Sequence, residues 1–503
     1  MKSYSLFAVL LLAATILFAC NEIDNVGFDM ESAVEQQMAG KTHSINVTQN
    51  EASGIADMFM RSYAGSDMPL TKSADTKRIS SSATVREDGQ DLMYVFNYED
   101  GGFVIVGSTR NYYPILAYSD KGSFVLQDDM VPVDVWLDET KVSIKNSSSL
   151  DAATKAQMQN LWSHYDGTYV DPAQQLLASR RPQTRSTGED YCWDHIDSLQ
   201  ALYGSDGWTF NSLSNAEFYF EEWGFGDLYD VICYYAEQNH SDPRETVIGY
   251  KYPVRYDVGP LIGTLWRQNL PYASLCPNWL TGCAAIAAGQ LMFYHKYPVT
   301  MYWHGEPFTW NDIEQSYVYY PPTKHPELLR MLGQKFQMVY DPSGYSWTTD
   351  PNLLNGLDSL GYTANIQYYD VNLPSSHSAA LTAAKNELIN YHRPVIMQGF
   401  ETNNSLEEYG HTWVCEGAQE IFPYRLFYYT ENQPYGLGNF TQGLYSYNTP
   451  GDVGNINSYV NFYMNWGYGD VGLGYNGWYV SNSVNSNYGD FKYSRSNIYV
   501  IKP

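Results

Sequence analysis

At 503 residues the chain is longer than one ordinary hydrophobic core covers, so two or three domains are expected. Its 44 % hydrophobic and 16 % aromatic residues exclude a largely disordered chain, and 46 tyrosines with 13 tryptophans suit packing and peptide or sugar contacts. A net charge of −26, with no basic patch to offset it, excludes nucleic acid as a partner.

Met1-Lys2 and the apolar run Leu6 to Phe18 read as a secretory signal, too short to span a membrane comfortably. Leu17-Phe18-Ala19-Cys20 looks like a bacterial lipoprotein cleavage box. Residues 1–20 therefore read as a lipoprotein signal segment cut ahead of Cys20, with Cys20 lipidated and the exported protein tethered to a membrane at the cell surface or in the periplasm, the mature protein released from it on processing. Residues 21–41 are polar and acidic and form the tether. Cysteines at 20, 192, 233, 276, 283 and 415 are few for an exported chain of this length, which excludes a disulfide scaffold. With no C-x-x-C pair and no H-E-x-x-H helix, neither a metal nor a cofactor is expected.

Residues 42–178 carry their own pattern. Tyr94 to Tyr98, the turn Glu99-Asp100-Gly101-Gly102 and Phe103 to Val106 give a hairpin signal. Pro114 to Ser119 and Ser123 to Leu126 are expected to extend that sheet, and an amphipathic helix from Leu150 to Tyr165 closes a small α+β unit. Residues 179–189 follow, a polar, turn-rich linker with three arginines. Such segments are preferred sites of nicking, and cleavage after Arg181 or Arg185 is the expected processing step, with a later cut near Val258 the other possibility. Residues 190–257 suggest helices over Asp194 to Leu202 and Asn215 to Gln238 but no chemistry.

Beyond Val258 the pattern sharpens. Pro277, Asn278 and Gly282 make a turn-rich loop, after which Cys283 opens a run of small and apolar helix formers ending at His295. Helices are expected at Glu327 to Tyr340, Pro351 to Leu360 and Ser376 to His392, the last with Ser375 to Ser378 as cap residues. Strands are expected at Asn365 to Asp370, Arg393 to Phe400, from His411 to Ala418, Tyr459 to Trp466, Gly477 to Val480 and Ile498 to Lys502. Residues 420–457 read as a long insertion. This order suggests a nucleophile helix packed on an antiparallel sheet, an α+β architecture.

A thiol hydrolase needs a thiolate, an imidazole, a group orienting that imidazole and donors for an oxyanion. Cys283, on the first turn of its helix, meets free N–H groups and the positive end of the dipole, which lower a thiol pKa. His411 lies 128 residues downstream at a strand start. Asn465 and Trp466 are the amide and indole able to orient and shield it. Gln268 offers a side-chain N–H opposite the Cys283 N–H. His295 reads as a core or surface histidine, and Cys415 as a buried free thiol on the His411 face of its strand.

Thr281-Gly282-Cys283-Ala284-Ala285, Tyr294-His295-Lys296-Tyr297-Pro298, Gly410-His411, Asn465-Trp466-Gly467-Tyr468-Gly469 and the terminal Ile501-Lys502-Pro503 together resemble the streptopain family of secreted bacterial cysteine proteases. Gly101 to Ser119 resembles that family's propeptide. The resemblance covers about Val258 to Pro503 and implies a papain-like cysteine protease fold over 190–503, preceded by an inhibitory α+β propeptide domain. It implies Cys283 as nucleophile, His411 as general base and acid, Gln268 as oxyanion donor, and Asn465 and Trp466 beside the histidine. The expected partners are protein or peptide substrates, the chain's own propeptide and a membrane through the lipid anchor. Two other readings stay open here: a cysteine amidase or transpeptidase acting on cell-wall peptides, and a surface-binding lipoprotein with a vestigial site.

Overall fold

The structure is a computed structural model that describes residues 43–65, 78–127, 131–166, 196–197, 199–201, 208–212, 247–251, 254–318, 324–401, 410–422, 425–429, 458–469, 474–481 and 493–502. Cys20, the tether, Arg181, Arg185, the expected helix at Asn215 to Gln238 and most of the 420–457 insertion lie outside these residues.

The N-terminal block contains α1 (Gln49–Gly65), β1 (Ile79–Glu87), β2 (Gln90–Tyr98), β3 (Phe103–Gly107), β4 (Ile115–Ser119), α2 (Val131–Asn146) and α3 (Ala152–Asp166). The expected hairpin is β2–β3, in the register Asn97 opposite Phe103. Gly102 holds φ +100° at its turn, and a Cβ there would lie 2.7 Å from the Ser119 carbonyl oxygen, so only glycine fits. Ser123 to Leu126 form no strand. Instead the Phe124 N–H donates to the Asn97 side chain at 2.6 Å, a cross-link in place of ladder pairing. The sequence reading also passed over α1, β1 and α2.

Three short strands follow, β5 (Trp208–Ser212), β6 (Val247–Lys251) and β7 (Val254–Val258). The remaining elements are α4 (Cys283–His295), β8 (Thr300–Trp303), β9 (Glu306–Thr309), α5 (Trp310–Val318), α6 (Lys324–Lys335), β10 (Val339–Tyr340), β11 (Ser346–Trp347), α7 (Asp350–Ser359), β12 (Thr363–Tyr369), α8 (Pro374–Tyr391), β13 (Val395–Glu401), β14 (Gly410–Phe422), β15 (Arg425–Tyr429), β16 (Tyr459–Asn465), β17 (Gly477–Val480) and β18 (Tyr493–Ile501). Helix α6 stops five residues before the expected Tyr340, which belongs to a strand instead. Helix α8 is capped by Leu373 with no side-chain bond and carries Pro374 in its first turn. Its serines lie inside the helix, where the Ser376 hydroxyl accepts from the Asp370 N–H.

One mixed-origin sheet organises the molecule. Its order is β1-β2-β3-β4-β17-β16-β14-β13-β18-β12, with β7 joined to the far part of β14. The N-terminal block therefore continues the C-terminal sheet edge to edge, through Tyr118 opposite Trp478 and Ala117 opposite Tyr479. The Tyr118 hydroxyl adds a buried 2.8 Å hydrogen bond to the Gln419 side chain.

Alternation along β13, β14 and β18 sends side chains to two separate cores. Ile396, Val414, Ile498 and Val500 meet α4, α6 and α7 on one face. Met397, Trp413 and Cys415 meet α8 and α2 on the other, where Val133, Val135 and Trp136 are inserted. Both faces are covered, and the segments Val395-Ile396-Met397, Trp413-Val414-Cys415 and Ile498-Tyr499-Val500-Ile501 read accordingly as short apolar runs.

Candidate active site

Helix α4 begins at Cys283 because Gly282 turns the chain at φ +85°. From Ala284 to Met292 every side chain is buried, so the helix is apolar all round and fixed against neighbours on every side. The loop before it is pinned to a second segment. The Gln268 carbonyl accepts from the Thr281 N–H at 2.9 Å, Arg267 bridges Tyr468, and the Gly469 N–H donates to Trp266 at 3.1 Å.

These connections bring Gln268, Cys283 and His411 to one cleft, with Leu280, Phe400 and Tyr468 also on its walls. The sequence-expected trio is thus spatially adjacent. Two further residues were missed. The Thr412 backbone N–H and hydroxyl both donate toward the Cys283 sulfur, as do the N–H groups of Cys283 and Ala284. Tyr468 stands edge-on to the His411 ring at 5.7 Å. The strand pattern contained the first signal, since residue 412 must face α4 if residue 411 does not.

The expected low thiol pKa is not what this state shows. Burial of the sulfur raises the Cys283 pKa, and this outweighs the four N–H and O–H donors that pull it down. His411 is 2 % exposed, and burial lowers its pKa to about 4. Among the described residues no hydrogen bond joins the thiol to the imidazole. Burial thus acts on both groups in the direction of the neutral form.

Orientation of that imidazole comes from a carbonyl. His411 Nε2–H donates to the Trp466 backbone oxygen at 2.7 Å. With Nε2 protonated, the neutral ring keeps its lone pair on Nδ1. Asn465 does not touch the histidine. Its Nδ2 donates to the Thr264 carbonyl and to Glu416 Oε1, each at 2.8 Å. Glu416 is fully buried and accepts two more bonds, from the N–H groups of Ile262 and Gly263 at 2.5 and 2.8 Å. Burial nonetheless raises its carboxyl pKa. Nor does the Trp466 indole shield the imidazole. Trp413 lies parallel to the His411 ring at 6.2 Å, and Trp466 packs behind Trp413 at 4.9 Å.

Cys415 is a buried free thiol, as its position four residues after His411 suggests, and burial pushes its pKa upward. Cys276 is likewise free. His295 closes α4, with a pKa lowered to about 4 by burial.

A helix-borne cysteine and a sheet-borne histidine lining one cleft are the groups of a thiol hydrolase, the class to which a cysteine peptidase belongs. Comparison with known proteins gives the same class and narrows it. Residues 266–479 match the peptidase C10 family, and residues 44–144 match the Spi protease inhibitor family. Residues 266–479 are thus a cysteine peptidase segment of the C10, or streptopain, type, and an inhibitor-type propeptide segment lies ahead of it. Among solved structures, a fragment of Prevotella intermedia prointerpain A with a Cys-to-Ala mutation is 16 % identical, with a TM-score of 0.43 over 84 % of this chain and 99 % of that one. Active wild-type interpain A from the same organism is 19 % identical, with a TM-score of 0.29 over 48 % of this chain and 95 % of that one. No curated protein matches the chain.

Proposed function

We propose that this cysteine protease zymogen is an exported endopeptidase in which Cys283 is the nucleophile, His411 the general base and acid, and Gln268 an oxyanion donor. The observation that carries the assignment is the convergence of these three residues on one cleft. Transfer of the thiol proton to His411 Nδ1 frees Cys283 Sγ to attack the peptide carbonyl carbon. The Cys283 N–H and Gln268 side chain hold the resulting oxyanion. As the C–N bond breaks, Nδ1 returns its proton to the leaving amine, and water activated by His411 then cleaves the thioester.

Latency has support in the same geometry. Helix α2, within the inhibitor-type segment, covers the sheet face on which the His411 and Trp413 rings lie. The polar groups that bear on the thiol are Thr412 and the helix N–H groups. Processing near Arg181 or Arg185 and anchoring through Cys20 complete the reading, motivated by the linker composition and the lipoprotein-like box.

The test is a paired incubation of wild-type and Cys283→Ala precursor lacking residues 1–20. Wild type should shorten, with or without added trypsin, and then hydrolyse casein, whereas trypsin-trimmed Cys283→Ala should not. Equal hydrolysis by the two would refute the assignment.

A further inference from the structure

Across the sheet, His411, Gly399 and Arg495 stand directly opposite one another on β14, β13 and β18. They form one row, with glycine in the middle. A Cβ at Gly399 would lie 2.5 Å from Val135 Cγ1 and 3.2 Å from Arg495 Cδ, so the missing side chain leaves a notch that Val135 of α2 now fills. One helical turn beyond Val135, Glu139 reaches Arg495, whose Nη1 donates to both carboxylate oxygens at 2.7 and 2.6 Å. The Arg495 guanidinium also lies over the Trp413 ring at 5.1 Å and the Tyr369 ring at 5.7 Å, and its Nε donates to the Gln398 carbonyl at 3.1 Å.

Arg495 is 8 % and Glu139 5 % exposed. Among the described residues Glu139 is the carboxylate paired with Arg495, and it belongs to the inhibitor-type segment. The guanidinium's other described polar and ring partners, Gln398, Trp413 and Tyr369, come from the peptidase. Loss of Glu139 leaves the guanidinium without a carboxylate partner and open to water or to another acid. When α2 leaves, the peptidase retains a fixed cation, a glycine notch and two aromatic walls beside the catalytic histidine.

We propose that Arg495 is a specificity-determining residue of the processed enzyme. It receives an acidic side chain of the substrate, and Glu139 occupies that place in the precursor. The proposal rests on the zymogen reading and extends it to substrate class. Arg495 stands two strand spacings, roughly 10 Å, from His411. An extended peptide advances about 3.4 Å per residue, so the preferred acid lies within about three residues of the scissile bond.

The experiment uses the full precursor, processed by itself or by trypsin, and matched peptide sets with Glu, Gln or Lys at each position within three residues of the cleaved bond. Processed wild type should favour Glu over Gln at one position by roughly tenfold or more in kcat/KM. The doubly substituted chain Glu139→Arg/Arg495→Glu keeps an opposite-charge pair in the precursor, and after processing it should favour Lys at the same position. A wild-type profile indifferent to Glu, Gln and Lys overturns the subsite without any variant, as does an unchanged preference in the swapped chain. Processed wild type that cleaves no peptide at all would overturn the protease assignment and the subsite with it.

Discussion

The imidazole of His411 is held by the backbone carbonyl of Trp466, at 2.7 Å from Nε2, and by no side-chain amide. A main-chain acceptor survives replacement of its side chain. Trp466→Phe should therefore keep kcat within roughly tenfold of wild type, whereas His411→Ala should lose on the order of a thousandfold or more. The lost indole volume should still lower stability by about 1–3 kcal/mol. Steady-state kinetics of the processed enzymes checks this. A Trp466→Phe loss as large as that of His411→Ala would show that the indole orients the ring.

Asn465 links Glu416 to Thr264 behind the cleft. Asn465→Ala removes one of the three described donors to a buried carboxylate and leaves the Thr264 carbonyl short of its partner. The expected cost is about 2–4 kcal/mol of precursor stability. Thermal or urea unfolding measures it. An unchanged midpoint together with a collapsed kcat would instead return Asn465 to the histidine.

Gly282 sets the direction from which Cys283 enters its helix. At φ +85° an alanine is strained by about 1–2 kcal/mol, and its Cβ meets the Met338 methyl. Because the strain falls one residue before the thiol, Gly282→Ala should lower activity more than stability. The comparison is kcat/KM against the unfolding midpoint, and a variant with wild-type activity contradicts it.

Acid should weaken the precursor. Burial lowers the pKa of both His411 and His325 from 6.5 to about 4. Between those values the unfolded chain binds more protons than the folded one. The stability due to each neutral histidine is full above pH 6.5 and is lost as pH falls toward 4, by at most about 3 kcal/mol per residue. Glu139 and Glu416, shifted upward by burial, act with the opposite sign. Urea unfolding of wild type and His325→Gln at pH 7.5, 5.5 and 4.5 isolates the histidine part. The two curves should converge as pH falls, and a constant gap contradicts the shift.

Much of the peptidase was legible in the sequence. Small residues after Gly282, alternation from His411 onward and the apolar run at Val395 each report local burial, which fixes an element's type before any tertiary contact is known. The same logic does not reach α2. Val131, Val133 and Val135 alternate as a strand would, yet they open a helix that is buried on more than one side, at Val133, Val135, Trp136, Leu137, Glu139 and Thr140. There tertiary packing overrode β-branched preference. The serines in the first turn of α8 misled, because a capping residue type does not reveal which residue the chain places at the cap.

The sequence by itself determined the residue types of a thiol hydrolase, their order and the inhibitor-like block ahead of them, because these depend on chemistry and local period. Only the tertiary structure decided that a Trp466 carbonyl, not Asn465, holds His411, that Thr412 meets the thiol, and that Glu139 pairs with Arg495 from 356 positions away. Backbone acceptors carry no sequence signature, and a buried ion pair is set by which faces pack together. The direction of the Cys283 pKa was likewise decided by enclosure, because helix-terminal donors favour the thiolate only to the extent that burial does not remove it from water.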